Sequence, residues 1–564
     1  MTAGSLSLCL ALALSVGVPA LAQQASRRPL TATDIDAITQ LVMLEDTRQF
    51  DEPALARLLK SAHPEVRRRA VIAVGRIVNP AGRALLVSVR KDDDVEIVAT
   101  AAFATGQLKD PEAVPWLSEL LMAANTPATV AREAAQALGK IRTPAARTAL
   151  AQYLATAPDT AAAPVVGEAL LAIGRFTTRE DIAPILRWTT AADADLRWRA
   201  AWALFRPRDP AAVPRLFDLS SDSSAEVRFW AVRGLAPVLV TEAGFDLARA
   251  SARLRDAVRD SDRRVRTEAL RALVQYDDDA SFAVVLGSVD SPDAWLSVSA
   301  VEALGRFKNR VDLVVPRLIA AAGPARPSSL RVAALAPLAA LAPAAAADAA
   351  TALVRAPGTV ARTTAIQVLQ KLGEPGRARL DALAADDATR DLIPQPGSNQ
   401  GTRPTPPKRS DADYRRIVER WIVPAYNGAA NPRAVLTTPR GEIELELYAG
   451  DAPLGLDYFV TAVESGAIVG TEFGRVVPNF VAQQRPIRDA VTLRDEVSRR
   501  GLTRGNVSWA SAGLDTGRPG YTLGVTPQPH NEGNFTALGR VIRGMNAVDH
   551  LELGDSITAA RMSK

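Results

Sequence analysis

Between residues 63 and 373 the hydrophobic positions of the chain repeat one pattern. In each copy an aliphatic residue at position i, often followed by arginine, is succeeded by alanine at i+4. Further small or aliphatic residues stand at i+7 and i+8. These spacings place the apolar side chains on one face of an α-helix. The ten copies start 31 to 38 residues apart and occupy 66–75, 97–106, 130–139, 165–174, 196–205, 227–236, 265–274, 296–305, 330–339 and 361–370.

A second apolar helix lies between copies, as in "AVPWLSELLMAA". Such helices follow "KDPE" or "RDPA", in which aspartate caps the helix and proline occupies its first turn. Helix pairs repeated at a nearly constant interval predict an α-solenoid over residues 31–387. No catalytic constellation is apparent within it.

The recurring "D-x-x-V-R-x-x-A-x-x-A-L-G" resembles HEAT repeats of the short type. That resemblance implies a long concave surface suited to a protein partner. Arginines at the second or third position of the copies are expected to pair with acidic residues of the adjacent repeat: Arg67, Arg132, Arg197, Arg228, Arg266 and Arg331. Three tryptophans at helical spacing, Trp198, Trp202 and Trp230, are expected to pack between repeats rather than line a groove.

The pattern changes beyond the repeats. Residues 388–410 are rich in proline, glycine and polar side chains and are expected to form a linker. Residues 411–432 predict a linking helix with an aspartate cap. From residue 433 to 564 the period becomes two: a hairpin around Pro-Arg-Gly, a helix capped by Asp451, and a run of short strands. This order predicts a small, mainly-β closed barrel with capping helices, and hence a multidomain protein.

Residues 433–554 resemble the cyclophilin-type peptidyl-prolyl cis-trans isomerases, through "F-x-R-V-V-P-x-F" and "G-R-V-x-x-G-M" at the family's spacing. By that resemblance Arg475 is the catalytic arginine and Phe480 the floor of the proline pocket. The implied substrate-binding residues are Phe480, Val481, Gln483, Ala510, Ser511, Ala512, Gly520, Thr522, His530 and Phe535. The implied substrates are proline-containing polypeptides.

The chain departs from the family after "DTG". Where relatives have Gly-Ser-Gln-Phe-Phe, this chain has "RPGYT", so Gly520 replaces a substrate-binding glutamine and Thr522 a pocket phenylalanine. Gly474 likewise replaces a histidine. These changes are expected to remove one amide contact and one pocket wall and thus to weaken turnover, because catalysis depends on how the proline is positioned.

An arginine alone is sufficient for the implied chemistry. Amide resonance sets a barrier of about 18–20 kcal/mol to prolyl rotation, and no covalent bond has to break. A guanidinium that hydrogen-bonds the prolyl nitrogen as the amide twists stabilises the transition state more than the ground state. The alternative, that Arg475 forms only a surface ion pair, is disfavoured by Phe473, Pro478, Phe480 and Gln483 in register around it.

The first 22 residues are uncharged and apolar through "LSLCLALALSVGVPALA" and close with Ala20-Leu21-Ala22. This predicts a cleaved signal peptide over residues 1–22, an exported protein that is periplasmic or secreted, and no membrane span after cleavage. An uncleaved anchor is the alternative, because "MTAGSLS" lacks basic residues.

Composition excludes several classes of site. Cys9, the only cysteine, lies inside the predicted signal peptide, so disulfides and thiol chemistry are not expected in the mature chain. His63, His530 and His550 have no metal-binding spacing, and neither a metal nor another cofactor is expected. The 67 basic and 62 acidic residues are interspersed, which does not indicate nucleic-acid binding.

Two functions from different classes remain. One is an exported prolyl isomerase whose solenoid binds clients or a partner. The other is a non-catalytic protein-binding scaffold with a degenerate cyclophilin-like module. Arg475 favours the first, and Gly520 with Thr522 favours the second.

Overall fold

The structure, a computed structural model, describes residues 28–393, 405–487 and 491–563. The predicted signal peptide lies outside these ranges, and so do residues 394–404 of the predicted linker. Across the described ranges, no helix is both long and apolar enough to cross a membrane.

Residues 32–385 form successive α-helices, joined by short turns. They are α1 (Ala32–Thr47), α2 (Glu52–Leu58), α3 (Pro64–Ile77), α4 (Gly82–Val87), α5 (Val95–Gln107), α6 (Val114–Met122), α7 (Ala128–Ile141), α8 (Pro144–Thr156), α9 (Ala163–Ile173), α10 (Ala183–Leu186), α11 (Ala194–Phe205), α12 (Val213–Leu219), α13 (Ala225–Val232), α14 (Pro237–Glu242), α15 (Leu247–Ala257), α16 (Arg263–Leu273), α17 (Asp279–Ser288), α18 (Ala294–Leu304), α19 (Val311–Ala321), α20 (Ser328–Leu341), α21 (Pro343–Val354), α22 (Thr359–Lys371) and α23 (Glu374–Ala385).

Each of the ten predicted copies begins inside one of these helices, and these ten pack one against the next from α3 to α22. Small residues allow the close packing: a Cβ on Gly139 would lie 2.7 Å from the Cα of Ala172 on the neighbouring helix. The Asp-Pro starts act as predicted, since the carboxylates of Asp110 and Asp209 accept from backbone N–H groups two residues on. The helical solenoid is therefore confirmed.

The predicted arginine pairing is confirmed at four of six positions. Arginine and aspartate of successive repeats lie 2.5–2.9 Å apart in the pairs Arg67–Asp92, Arg197–Asp222, Arg228–Asp260 and Arg266–Asp293. Arg132 instead contacts Glu133 on its own helix, and Arg331 donates to the carbonyl of Ala322. The three tryptophans are buried, as predicted.

The linking segment consists of α24 (Asp411–Ile417), a π-helical turn (Val418–Ile422) and α25 (Val423–Tyr426). Its cap is Ser410 rather than the predicted aspartate, because the Ser410 hydroxyl accepts from the N–H of Asp413. Two buried side chains anchor it: the Tyr414 hydroxyl donates to Asp46, and the Trp421 indole donates to Asp457. The segment thus joins the first solenoid helix to the C-terminal domain.

The C-terminal domain contains eight antiparallel strands: β1 (Arg433–Thr438), β2 (Gly441–Leu447), β3 (Phe473–Val477), β4 (Val481–Gln484), β5 (Asn506–Ala510), β6 (Arg518–Gly524), β7 (Ala537–Arg543) and β8 (Ala559–Ser563). Their order in the sheet is β3-β4-β6-β5-β7-β2-β1-β8. Helices α26 (Pro453–Glu464) and α27 (Met545–Asp549) accompany it. Ile443, Leu445 and Leu447 of β2 are fully buried, as the alternation predicted.

Two details of this domain differ from the predictions. The sheet is a half-barrel rather than a closed barrel, because its edge strands β3 and β8 form no ladder with each other within the described residues. The two ends are linked by a bridge between Glu472 and Ser556 and by backbone hydrogen bonds between residues 470–473 and 554–557. The first turn of α26 is capped by Glu496, whose carboxylate accepts from the N–H groups of Leu454 and Gly455, instead of by Asp451.

The sheet domain is docked on the solenoid through arginine and backbone contacts. Arg76 of α3 is buried and donates to the carbonyls of Val497 and Asp451. Arg48 donates to the carboxylate of Asp515, and the N–H groups that open α22 donate to the Glu472 carboxylate. One buried apolar cluster contains side chains from the helices α1 through α5, from the linking segment and from the interior of the half-barrel.

Candidate active site

Arg475 lies on edge strand β3, between buried Phe473 and the turn that leads to β4. Its side chain is exposed, and one terminal nitrogen donates to Oε1 of Gln483 over 3.4 Å. The guanidinium carbon lies 5.5 Å from the ring centroid of Phe480. The hairpin of β3 and β4 therefore brings together a cation, an amide and an aromatic ring.

These residues border a cavity of about 290 Å³ on the open face of the half-barrel, which we call the proline pocket. Nine of the predicted site residues line it: Arg475, Phe480, Val481, Gln483, Ala510, Ser511, Ala512, Thr522 and Phe535. His530 stands just behind the lining, its ring 6.1 Å from that of Phe480 at an interplanar angle of 25°. Gly520 is not brought to the pocket.

Gly520 is buried in β6 and packs against the backbone of the neighbouring chain segment. A Cβ there would lie 2.6 Å from the carbonyl oxygen of Gln484 and 3.1 Å from the nitrogen of Pro486. No other side chain fits this backbone, so the position contributes no group to the pocket. The glutamine that the resemblance implies here has no counterpart in this arrangement.

Thr522 forms part of the pocket wall with a neighbouring hydroxyl. Its Oγ1 lies 2.8 Å from Oγ of Ser508, and both side chains are buried. A hydrogen-bonded pair of hydroxyls thus occupies the wall at which the resemblance implies a phenylalanine. The pocket keeps its floor, Phe480, but has a more polar side.

Comparison with known proteins agrees with this geometry. Residues 433–564 match the model of the family described as cyclophilin type peptidyl-prolyl cis-trans isomerase, and residues 83–305 match HEAT repeats in three overlapping segments. A peptidyl-prolyl cis-trans isomerase of Helicobacter pylori is 33% identical over 140 residues, which cover 23% of this chain and 86% of that protein. The chain belongs to the cyclophilin-type peptidyl-prolyl cis-trans isomerases.

Two further proteins are similar to a segment of about the same length. Peptidyl-prolyl cis-trans isomerase B of Bacillus subtilis is 31% identical over 129 residues, which cover 22% of this chain and 90% of that protein. A solved cyclophilin type isomerase of Cryptosporidium parvum is 17% identical with a TM-score of 0.23, covering 24% of this chain and 98% of its own.

The proline pocket has six lining residues that the sequence did not predict: Ser508, Trp509, Thr516, Arg518, Gln528 and Asn531. Arg518 is an exposed second guanidinium, at the start of the segment "RPGYT" that departs from the family. Gln528 donates from Nε2 to the carbonyl of Phe480 and accepts from Asn531. The departure around Arg518 was visible in the sequence, but a support of Phe480 by residues 48 positions away was not.

Solenoid residues contact the loops that border the proline pocket but do not line the pocket themselves. Helix α16 contacts the β3–β4 turn: Arg271 donates to the carbonyl of Pro478, and Asn479 donates to the carbonyl of Arg264 and to Glu268. Lys140 of α7 donates to the carbonyl of Gly533. Among the described residues, all that line the pocket belong to the cyclophilin domain, so the solenoid leaves it open.

His530 is uncharged at neutral pH. Desolvation of the ring by the groups around it, together with the solenoid guanidinium groups of Arg206, Arg233 and Arg175, lowers its pKa to about 4. A neutral imidazole packs on the Phe480 ring without carrying a second charge towards Arg475. These three solenoid arginines thus favour the neutral form of the imidazole that lies behind Phe480.

The arrangement suits rotation about a prolyl bond. Phe480 offers an apolar surface for the pyrrolidine ring, while the guanidinium of Arg475 can donate to the prolyl nitrogen as the amide twists. No group of three or more His, Cys, Asp and Glu that could hold a metal occurs in the described ranges. The chain's own side chains supply the groups that this rotation requires.

Proposed function

We propose that the protein is an exported prolyl isomerase that acts on proline-containing polypeptides and whose solenoid binds clients or a protein partner. One observation carries the proposal: Arg475 stands beside Phe480 and Gln483 at an open pocket. This is the minimal set of a cation and an apolar floor that transition-state stabilisation of a twisted amide needs.

Two features support the role of the solenoid and the location. The solenoid contacts the loops of the pocket through Lys140, Arg175 and Arg271, which supports client binding on the solenoid near Arg475. The apolar segment that ends in Ala20-Leu21-Ala22 supports export. N-terminal sequencing of protein recovered outside the cytoplasm should begin at Gln23, and a cytoplasmic protein that retains the segment would contradict export.

A non-catalytic scaffold is the second candidate. It is favoured by Gly520, which cannot carry a substrate-binding side chain, and by Thr522 in place of an aromatic wall. A domain with these changes would hold proline-containing chains without accelerating their isomerisation.

Refolding of a protein limited by prolyl isomerisation separates the two candidates. Uncatalysed, this phase takes tens of seconds at 25 °C, which makes an acceleration easy to measure. We expect the full chain at catalytic concentration to shorten the phase at least tenfold, and Arg475→Ala to leave it at its uncatalysed rate. An unchanged phase with a wild-type chain that still binds the unfolded substrate would establish the scaffold.

A further inference from the structure

A second and larger cavity lies between the cyclophilin domain and the solenoid. Its volume is about 610 Å³, within the range of about 300–1,000 Å³ in which protein pockets hold ligands. Edge strand β3 forms one wall, and helices α18, α20 and α22 form the other. We call this cavity the interdomain groove.

The walls of the interdomain groove are mainly apolar. On the solenoid side they include Trp295, Val298, Val332 and Ala336, and on the cyclophilin side Val476 and Leu553. The charged side chains on its lining are Glu302, Glu552 and Arg475, so carboxyl groups outnumber the single cation and disfavour an acidic occupant. An apolar or basic polypeptide segment fits this chemistry.

The groove adjoins the proline pocket, because Arg475 lines both cavities. Five consecutive residues, 474–478, border the groove. A cavity that met only one face of a strand would be lined by alternate residues, since side chains alternate between faces. The groove therefore runs along the edge of β3.

That edge is available for pairing. Strand β3 forms a ladder with β4 on one side; on the other, within the described residues, it has only the bridge at Glu472 and the backbone bonds of Phe473. An extended polypeptide can add to such an edge, with backbone hydrogen bonds giving affinity and side-chain pockets giving selectivity.

We propose that the interdomain groove binds the segment of the client that adjoins its proline, as an extended strand along β3 with apolar side chains against α18 and α20. This inference rests on the proposed function and names its substrate class: polypeptides with apolar, non-acidic residues next to the proline. The solenoid thereby contributes directly to client selection.

The test compares two peptides on the full chain. One is a proline tetrapeptide that reaches only the proline pocket; the other is the same core extended by leucine and valine into a dodecapeptide. We expect a KM for the long peptide at least tenfold below that for the tetrapeptide. Replacing the added residues with glutamate should abolish the gain, because Glu302 repels them. Equal KM values for the three peptides would overturn the proposal.

A matched pair of variants assigns the gain to the groove. Ala336 is an exposed helical residue that lines it, and Ala352 is an exposed helical residue that does not. Ala336→Arg should abolish the gain while turnover of the tetrapeptide is kept, and Ala352→Arg should retain both. A gain that survives Ala336→Arg would overturn the proposal.

A binding measurement separates failure of the groove proposal from failure of the proposed isomerase function. If neither peptide is isomerised, fluorescence anisotropy of the labelled peptides still reports binding. Tighter binding of the long peptide that is lost in Ala336→Arg would support the groove even so, and equal binding of both peptides would contradict it.

Discussion

Two guanidinium groups line the proline pocket, and their surroundings differ. Arg475 donates to Gln483 and lies over the ring of Phe480. Arg518 is exposed, and its side chain has no hydrogen bond or ion pair within the described residues. A donor that is held in place before the reaction stabilises a transition state without reorganising, so Arg475 is the better placed catalyst.

The pH dependence of turnover follows from the groups around the pocket. None of the described lining residues is acidic or a histidine, and the pKa of His530 behind them is lowered to about 4. We therefore predict that kcat/KM for a proline tetrapeptide is constant between pH 6 and 8. A histidine with an ordinary pKa near 6.5 would titrate inside this interval.

The control for this profile is His530→Gln, which removes the titrating group. We expect the variant to show the same flat profile, with a lower kcat/KM at all pH values because Phe480 loses its stacked neighbour. An inflection near pH 6.5 in the wild type that disappears in the variant would show that His530 is charged near neutrality.

These site residues could be predicted because the sequence places them close together. Arg475, Phe480 and Gln483 lie within nine positions on one hairpin, where short motifs preserve geometry. Gly520 could not be judged in the same way, since its exclusion depends on the carbonyl of Gln484 in a neighbouring strand. Arg518 and Gln528 were missed because the resemblance names no role for them.

At the scale of elements, helix α16 fixes the turn between β3 and β4. Asn479 has a left-handed backbone with φ of 63°, and its amide donates to the carbonyl of Arg264 and to the buried carboxylate of Glu268. Neighbouring Pro478 accepts from Arg271. The solenoid thus holds the turn that lies between Arg475 and Phe480.

Substitution of Asn479 tests this contact. Asn479→Gly loses the hydrogen bonds but tolerates the left-handed backbone, whereas Asn479→Ala loses both, a difference of about 1 kcal/mol. We predict thermal stability in the order wild type, Gly, Ala, with kcat/KM about tenfold lower in both variants. Thermal melts and tetrapeptide turnover of the full chain measure these quantities. An alanine variant at least as stable as the glycine variant would contradict the account of the turn.

The element types themselves were predictable where the pattern was long. Ten helical copies and the alternating hairpin of β1 and β2 each carry their own periodicity. The closed barrel was wrong because closure depends on how β3 and β8 meet, which no local pattern records. The contacts of α16 with the turn were likewise invisible, since they join residues more than 200 positions apart.

At the scale of the whole molecule, carboxyl groups are buried where the two domains meet. Glu496 of the cyclophilin domain caps α26 and lies near Arg76 and Glu45 of the solenoid. Burial raises its pKa to about 7, although Arg76 and two backbone N–H groups oppose this shift. Between about pH 4.5 and 7 the folded chain therefore keeps a proton on Glu496, whereas the unfolded chain, in which the carboxyl pKa is near 4.5, releases it.

This proton makes stability depend on pH. The contribution of Glu496 is complete below pH 4.5 and is lost as pH rises through 7, because only the folded chain keeps the proton in that window. We predict that the unfolding free energy of the wild type relative to Glu496→Gln falls by about 3 kcal/mol between pH 4.5 and 8. Calorimetric melts of both full chains at the two pH values measure it. A stability difference that does not change with pH would contradict the assigned pKa.

The central claim is that Arg475 of a solenoid-held cyclophilin domain accelerates prolyl rotation. Exchange NMR of a proline tetrapeptide with catalytic amounts of the full chain measures this rate directly, without a coupled protease. We predict clear acceleration by the wild type, a loss of about 100-fold or more in Arg475→Ala, and no loss in Arg543→Ala, an exposed arginine on β7 outside the pocket. Exchange at the uncatalysed rate with folded wild type, or equal acceleration by Arg475→Ala, would contradict it.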